Sequence, residues 1–455
     1  MKSSLIEKYN VPVPRYTSYP PANHFTDTFT HDDYHRAIVE SNSWQGEHIS
    51  FYIHIPYCRH LCHYCGCNSY IYGGDEELER YIAALHKEID TILPMLSKGR
   101  KIAQIHYGGG TPTAIPIKYL HDLNDHLMRD FETIDSPEIA IECHPAYLTE
   151  QDWRGLCEAG FNRFSLGIQD FDPAVLKGVN RRGPQVEVER IFEILRSHGA
   201  KVNMDFIYGL PLQSVEGFTQ SISRAIALNP DRLVTFSYAH VPWVNKQQLF
   251  LEKLGLPSAE LKDQLFGVAS TLLRDAGYKT IGMDHFVRED DELYAAAQNR
   301  QLHRNFQGYC TRRTTGQVYA FGASAISQLA MAYAQNAKEP KRYIEMIEGG
   351  EYATIKGYGL SREEYIAREV IETLMCNNSV TWGDVASYLD LTVAEVKGAV
   401  NYNIESLEEL TQDGLISFGD QLLEMTTEGL PFVRNVAASL DKKMINNTLS
   451  YSKPI

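Results

Sequence analysis

The sequence has no apolar run long enough to cross a bilayer, and its opening stretch MKSSLIEKYNVPVPRYTSYP lacks an apolar core of signal-peptide length. These absences argue against a helical membrane protein, and we expect a cytoplasmic one. Basic residues are scarce: 43 Lys and Arg stand against 58 Asp and Glu, for a formal charge of −15. Such a chain has no field to attract polyanions, so small molecules suit it better than nucleic acid. Cysteines are few, eight in 455 residues, yet Cys58, Cys62, Cys65 and Cys67 share one short segment while Cys143, Cys157, Cys310 and Cys376 are scattered. A reducing cytoplasm disfavours disulfides, so the crowding points to metal ligation and the scattered four read as small buried hydrophobes. No second cysteine pair follows, as structural zinc sites usually require. No Lys-Ser/Thr follows Gly108-Gly109-Gly110 either, so that run is not a phosphate P-loop.

What is present is an ordinary globular composition, 44% hydrophobic and 22% charged, in a chain long enough for one large domain and smaller ones. Residues 1–47 are rich in Pro, Tyr and Thr and read as a leader packed on the core. Residues 48–357 alternate β-rich runs with helical ones, with strands expected at 50–55, 103–107, 138–143, 163–169, 202–208 and 232–238. In DEELERYIAALHKEIDTIL, Leu78, Ile82, Leu85, Ile89 and Ile92 recur at helical spacing and predict a helix with one face on the sheet. Parallel strands joined in this way carry their working loops at the C-terminal ends. Residues 358–455 change to a mainly helical pattern with a winged-helix flavour. Acidic residues there outnumber basic ones roughly two to one, so a packing or lid domain is expected rather than a DNA reader.

The segment YIHIPYCRHLCHYCGCN contains Cys-x3-Cys-x2-Cys, starting where the first strand ends. Soft thiolates select zinc or iron–sulfur, and composition alone does not separate the two. Three thiolates on a four-iron cluster leave one iron open to a small molecule. Cys65-Gly66-Cys67 leaves little room for two ligands on different irons, so Cys58, Cys62 and Cys65 are the expected ligands; Cys67 as a fourth is the alternative. GGGTP follows the second expected strand. There, glycines either admit a ligand close to backbone amides or simply form a tight turn. His285, His303, Arg304 and Gln307, in GMDHF and LHRNFQGY, make a polar set suited to carboxylates.

These motifs resemble the radical SAM superfamily (SAM, S-adenosylmethionine). More narrowly, the chain resembles the oxygen-independent coproporphyrinogen III oxidase family over nearly its full length, through PRYTSYP, YIHIPYCRHLCHYCGCN, HYGGGTPT, FSLGIQDF, DFIYGLP, NPDRL, GMDHF, LHRNFQGY and GASAIS. The resemblance implies an α/β fold, a partial (β/α)6 TIM-like barrel with a C-terminal mainly helical domain. It implies a [4Fe-4S] cluster on Cys58, Cys62 and Cys65, and SAM, two molecules of it, contacted by Tyr52, Tyr64, Cys67, Gly109, Gly110, Thr111, Glu142, Gln169, Arg181, Asp205, Ala239 and Ile326. A tetrapyrrole substrate would meet His303, Arg304 and Gln307, a flavodoxin or ferredoxin would supply electrons, and the protein would be a monomer without nucleic-acid or membrane partners. The implied reaction is oxidative decarboxylation of coproporphyrinogen III in haem biosynthesis. A radical SAM haem chaperone and an anaerobic haem-degrading methyltransferase are the rivals, with a cluster- or zinc-containing regulator from another class. PRYTSYP and the Cys67 position favour the oxidase. Tyr107 before GGGTP, where the family often has Trp, and Cys310 after LHRNFQGY depart from the pattern. On this reading Gly110→Val should weaken SAM binding but spare the cluster, and a chain cut after Tyr358 should still assemble it.

Overall fold

In HISFYIHI, Ile49, Phe51, Ile53 and Ile55 alternate with Ser50, Tyr52 and His54, the period of a strand with two different faces. The computed structural model forms strand β1 there, over His48–Ile55. It describes residues 3–44, 48–311 and 317–454, so the expected end of the leader at Glu47 lies outside the described residues. Short strands β2 (Tyr57–Cys58) and β3 (Tyr70–Ile71) follow, then β4 (Lys101–Gly109), β5 (Thr133–Cys143), β6 (Arg163–Gln169), β7 (Lys201–Tyr208) and β8 (Arg232–Ser237). β1, β4, β5, β6, β7 and β8 pair in that order, every pair parallel. These are the six expected strands. The largest difference is at β5, which starts at Thr133 rather than at residue 138.

Helices Asp75–Ile92, Ile117–Met128, Glu150–Glu158, Val188–Ser197 and Val215–Leu228 carry the crossovers. In the first, the five predicted stripe residues Leu78, Ile82, Leu85, Ile89 and Ile92 are all buried, and Asp75, Glu76 and Glu77 complement the positive end of the helix dipole. Tyr81 on the same face donates to the carbonyl of His54 at 2.7 Å, tying the helix to β1. One addition was not visible as a strand–helix alternation. Val318–Phe321 pairs parallel with the other edge of β1, and Ile326–Gln328, Ala332–Asn336 and Thr354–Gly359 continue the sheet antiparallel. Runs this short, joined without a helix between the first three, carry little period to read.

All these elements belong to one compact unit, Thr26–Ala276 with Arg313–Gly359. A second comprises Met1–Phe25, Gly277–Arg312 and Leu360–Ile455, so the division after Gly359 falls close to the expected one at residue 357, while the first division comes after Phe25 and Gly277–Arg312 lies apart from the rest of 48–357. Within this second unit, Leu5, Tyr9, Tyr16 and Tyr19 share a core with Ile366, Val370, Leu374, Trp382 and Phe432. Tyr16 and Tyr19 also donate to Asp441 at 3.0 and 2.9 Å. Helices Arg362–Asn377, Trp382–Leu389, Val393–Ala399, Ile404–Gln412 and Val433–Leu440 accompany an antiparallel sheet ordered Ser379–Thr381, Leu422–Met425, Ile416–Phe418, consistent with the expected winged-helix character. A hairpin of Leu302–Asn305 and Gly308–Thr311 lies in the same unit.

Candidate cluster and cofactor site

The parallel register sets polar side chains in a row near the C-terminal ends of the strands. Tyr52 pairs with His106 across β1 and β4, and Glu142 with Ser165 across β5 and β6. The rings of Tyr52 and His106 stack at 5.9 Å, His106 Nε2 lies 3.2 Å from Glu142 Oε1, and Ser165 donates to Asp205 Oδ2 at 2.8 Å. Tyr52 Oη also meets His54 Nδ1 at 3.1 Å. Burial pushes the His54 imidazole down to about 4, so the ring is neutral near pH 7 and exchanges hydrogen bonds without bringing a charge. His54 and His106 were not among the expected site residues. The alternation in HISFYIHI and QIHYGG puts them on the face of Tyr52, and that period was the available signal.

The cysteine loop leaves β1 directly. Cys58 and Cys62 are buried, Cys65 is half-buried, Cys67 is exposed, and none of the four is in a disulfide. Cys58 Sγ lies 3.3 Å from Thr111 Oγ1. Arg181 donates to Tyr64 Oη at 3.0 Å and to Cys62 Sγ at 3.5 Å, and its other terminal nitrogen bonds the carbonyl of Gly167. The Cys67 N–H donates to Cys65 Sγ at 3.4 Å. Burial pushes the Cys58 thiol up to about 11, whereas hydrogen bonding from the Cys67 thiol first, and from its N–H as well, holds Cys65 down to about 7. At Cys65 this favours the thiolate, the form that ligates metal.

GGGTP closes against this loop. Gly109 has φ +120°, and a Cβ there would lie 2.8 Å from the carbonyl oxygen of Ile55. The N–H of Gly110 donates to Ile55 at 2.9 Å and that of Thr111 to Tyr57 at 2.9 Å. These two amides are therefore occupied within the protein, and the glycines serve first to let β4 meet the cysteine loop.

Gln169 ends β6 in a left-handed conformation, φ +70°, and its Oε1 is buried without a hydrogen-bond partner. Its Nε2 and Arg181 Nη2 both stand within 3.0 Å of where a Cβ on Gly167 would be, so Gly167 lets the two gather. The carbonyls of Ala239 and Tyr64 are linked by Gln248, whose Nε2 donates to them at 3.3 and 2.9 Å, and Asn245 donates to the carbonyl of Cys65 at 2.7 Å. Asn245 and Gln248 escaped the sequence reading because they sit in an irregular stretch with no motif. Ile326 is half-buried, two residues beyond Ser324, whose Oγ lies 3.3 Å from His54 Nε2. The twelve expected cofactor contacts thus all fall in the unit that holds the three cysteines.

His303, Arg304 and Gln307 fall in the other unit. His303 is buried against Glu372, Arg304 is buried against the carbonyls of Arg15 and Tyr16, and Gln307 is half-buried at the hairpin turn. His285 bonds Asp284 at 2.7 Å.

The residues fit an iron–sulfur cluster with a small molecule beside it. Three thiols share one loop, a guanidinium and an N–H support their sulfurs, and a buried acceptor, Gln169 Oε1, lacks a donor.

Comparison with known proteins agrees with this geometry. The Radical SAM superfamily profile matches residues 52–225, and the HemN C-terminal domain profile matches residues 360–432. The oxygen-independent coproporphyrinogen III oxidase of Synechocystis sp. is 35% identical over 98% of this chain and 96% of its own. The protein of the same name from Escherichia coli is 36% identical over 96% of this chain and 94% of its own. The solved structure of coproporphyrinogen III oxidase (HemN) from Escherichia coli, described as a radical SAM enzyme, superposes with a TM-score of 0.88 at 34% identity, covering 97% of this chain and 98% of that one. Identity of this order along the whole length, together with a cysteine loop seated on the glycines of β4, shows that the chain belongs to the oxygen-independent coproporphyrinogen III oxidase family of radical SAM enzymes.

Proposed function

We propose that the protein converts coproporphyrinogen III to protoporphyrinogen IX in haem biosynthesis by oxygen-independent oxidative decarboxylation of two propionate side chains. The observation that carries this reading is the loop of Cys58, Cys62 and Cys65 packed on Gly110 and Thr111, in a chain similar from end to end to oxidases of that name. The haem chaperone, the methyltransferase and the DNA-binding regulator gain no such support.

Cys58, Cys62 and Cys65 would hold the [4Fe-4S] cluster. When bound, the cluster would supply one-electron reductive cleavage of SAM, the radical chemistry that removes hydrogen from a propionate β-carbon. Arg181 donates to the sulfur of Cys62 and orients Tyr64. Tyr52, Glu142, Gln169 and Asp205 offer the donors and acceptors that an amino-acid group and a ribose require, and Gln169 Oε1 takes a donor that none of the described residues provides. Tyr64, Cys67, Gly109, Gly110, Thr111, Arg181, Ala239 and Ile326 complete the contacts to two SAM molecules. Because the amides of Gly110 and Thr111 are already used, those residues contribute shape and carbonyls rather than N–H groups. Gln307 presents an amide to the tetrapyrrole, and His303 is held by Glu372. A reductant of the flavodoxin or ferredoxin type, a monomeric state, a cytoplasmic location and the absence of nucleic-acid or membrane partners complete the reading. Among the described residues no helix is long and apolar enough to cross a membrane.

The decisive experiment is an anaerobic incubation with SAM, a reductant and coproporphyrinogen III, followed by mass spectrometry of the tetrapyrrole. Loss of two carboxyl groups with formation of two vinyl groups is expected. Haem binding or methyl transfer without decarboxylation would reverse the proposal.

A further inference from the structure

The segment PRYTSYP has no role in the reading above, yet two buried arginines grip it. Within the unit of Met1–Phe25, Gly277–Arg312 and Leu360–Ile455, Arg434 donates to the carbonyls of Val13 and Pro14, the latter at 3.0 Å. Arg304 donates through Nη1 to the carbonyls of Arg15 and Tyr16. Four successive carbonyls are thereby satisfied, and Tyr16 is held at φ +49°, a left-handed conformation that a bulky residue adopts only under constraint. Arg434 commits its other bonds to Ser452 and Lys453 and acts as a clamp.

Arg304 is not used up in this way. It is only 8% exposed, its Nε is buried without a partner, and its Nη2 makes no hydrogen bond among the described residues. Nε and Nη2 form one side of the planar guanidinium, the fork whose two N–H groups match the two oxygens of a carboxylate. The face of Tyr309 supports the group, with its ring centroid 5.3 Å from Cζ. Among the described residues no carboxylate stands within ion-pair distance of Arg304 or Arg434. Asp284, which feels the charges of both Arg304 and Arg15, bonds His285 instead. The side chain of Arg15 is exposed and adds a third cation to the neighbourhood, felt in turn by Arg434. A buried guanidinium with an open fork is costly unless a partner completes it.

We propose that the Nε–Nη2 edge of Arg304, with Arg15 beside it, binds a carboxylate of the substrate, and that the clamp of Arg434 on Val13 and Pro14 holds the site in shape. The proposal rests on the substrate reading above, since coproporphyrinogen III carries four propionates. Arg304 and Arg15 are then specificity-determining residues, and Arg434 is a positioning residue.

The test is a fluorescence titration with coproporphyrin III and with its tetraamide, which keeps the ring and removes the four negative charges. The titration compares the wild-type holoprotein with Arg304→Lys and Arg15→Gln variants that retain their iron. Wild type is expected to prefer the acid at least about tenfold, the discrimination a charge-assisted hydrogen bond provides. Arg304→Lys should lose most of that preference by weakening the acid alone, and Arg15→Gln should lose part of it. A residue that merely supports the fold would weaken both ligands alike. Equal losses for acid and amide, or an unchanged preference in both variants, would overturn the assignment. Should Arg304→Lys not retain iron, the exposed Arg15 decides. Wild-type turnover of coproporphyrinogen III, measured alongside, separates failure of this site from failure of the substrate reading.

Discussion

Gly110 stands so close to Cys58 that a Cβ built on it would lie 3.0 Å from Cys58 Sγ and 2.7 Å from the carbonyl oxygen of Pro56. Such distances to backbone leave a side chain nowhere to go, so the glycine run and the cysteine loop form one packed object. Gly110→Val should therefore lose the cluster together with SAM binding, rather than SAM binding alone as the motif suggested. Iron per chain measures this directly, and a wild-type iron content would show that the loop yields to the added methyl groups.

Cys58→Ala, Cys62→Ala and Cys65→Ala should each abolish cluster assembly, because each thiol would be the sole protein ligand of one iron. Cys67 differs: it is exposed, and it supports Cys65 through both its thiol and its backbone N–H, of which alanine retains the second. Cys67→Ala should keep its iron. Iron analysis with the visible absorbance of anaerobically reconstituted protein separates the two cases, and loss of iron from Cys67→Ala would make it a fourth ligand.

The strands and the cysteine loop were legible because each obeys a local rule. Arg163–Gln169 alternates as a strand should, the stripe from Leu78 to Ile92 is helical, and Cys58, Cys62 and Cys65 announce themselves by spacing. What escaped depends on distant partners. Gln248 acquires meaning only when the fold brings it to Tyr64 and Ala239, and the leader reveals its partner only when Tyr16 and Tyr19 reach Asp441. His303 and Arg304 were expected as substrate contacts from residue type and from the motif LHRNFQGY that carries the resemblance. Their engagement by Glu372 and by the carbonyls of Arg15 and Tyr16 is tertiary information that no local pattern carries.

Gln248 is 1% exposed, and besides its two donated bonds its Oε1 accepts from the N–H of Val241 at 2.6 Å. Gln248→Ala should leave three backbone groups unsatisfied and loosen the loop after Cys62, at a cost of about 2 to 4 kcal/mol. Chemical unfolding of the holoprotein and the rate of iron release to a chelator should both respond. An unchanged release rate would mean that the loop is held without it.

Glu88 is buried and accepts from Gly322 N at 2.9 Å, Tyr343 Oη at 2.7 Å and Asn336 Nδ2 at 2.7 Å. Burial nevertheless pushes its carboxyl up to about 7 from an ordinary 4.5. Between those two values the folded chain binds more protons than the unfolded one, so stability falls as pH rises through the window and the loss is complete above about 7. The expected loss is on the order of 3 kcal/mol. Glu88→Gln removes the titration, so its stability, although lower at acid pH from poorer hydrogen bonding, should vary less with pH than that of the wild type. Parallel urea-unfolding series from about pH 5 to 8 test this, and identical slopes would place the pH dependence on other groups.

Asp441 is buried, and its carboxylate accepts from Tyr16, Tyr19 and the N–H of Lys443. Its unit also draws Leu5, Tyr9, Tyr16 and Tyr19 into the core of the C-terminal helices. A chain ending after Tyr358 would therefore strip those four side chains of their packing, and such a fragment should aggregate rather than assemble a cluster as a tidy catalytic core. The point substitutions Tyr16→Phe and Tyr19→Phe are cleaner, because they keep the rings and remove only the hydroxyls. Each should destabilise the unit by about 1 to 3 kcal/mol, since a buried carboxylate loses a donor. Together they should free residues before Phe25 for proteolysis and lower the unfolding temperature of the C-terminal helices in the same experiment. Early cleavage of the leader with no change in the helices would show that the segment rests on that core without helping to build it.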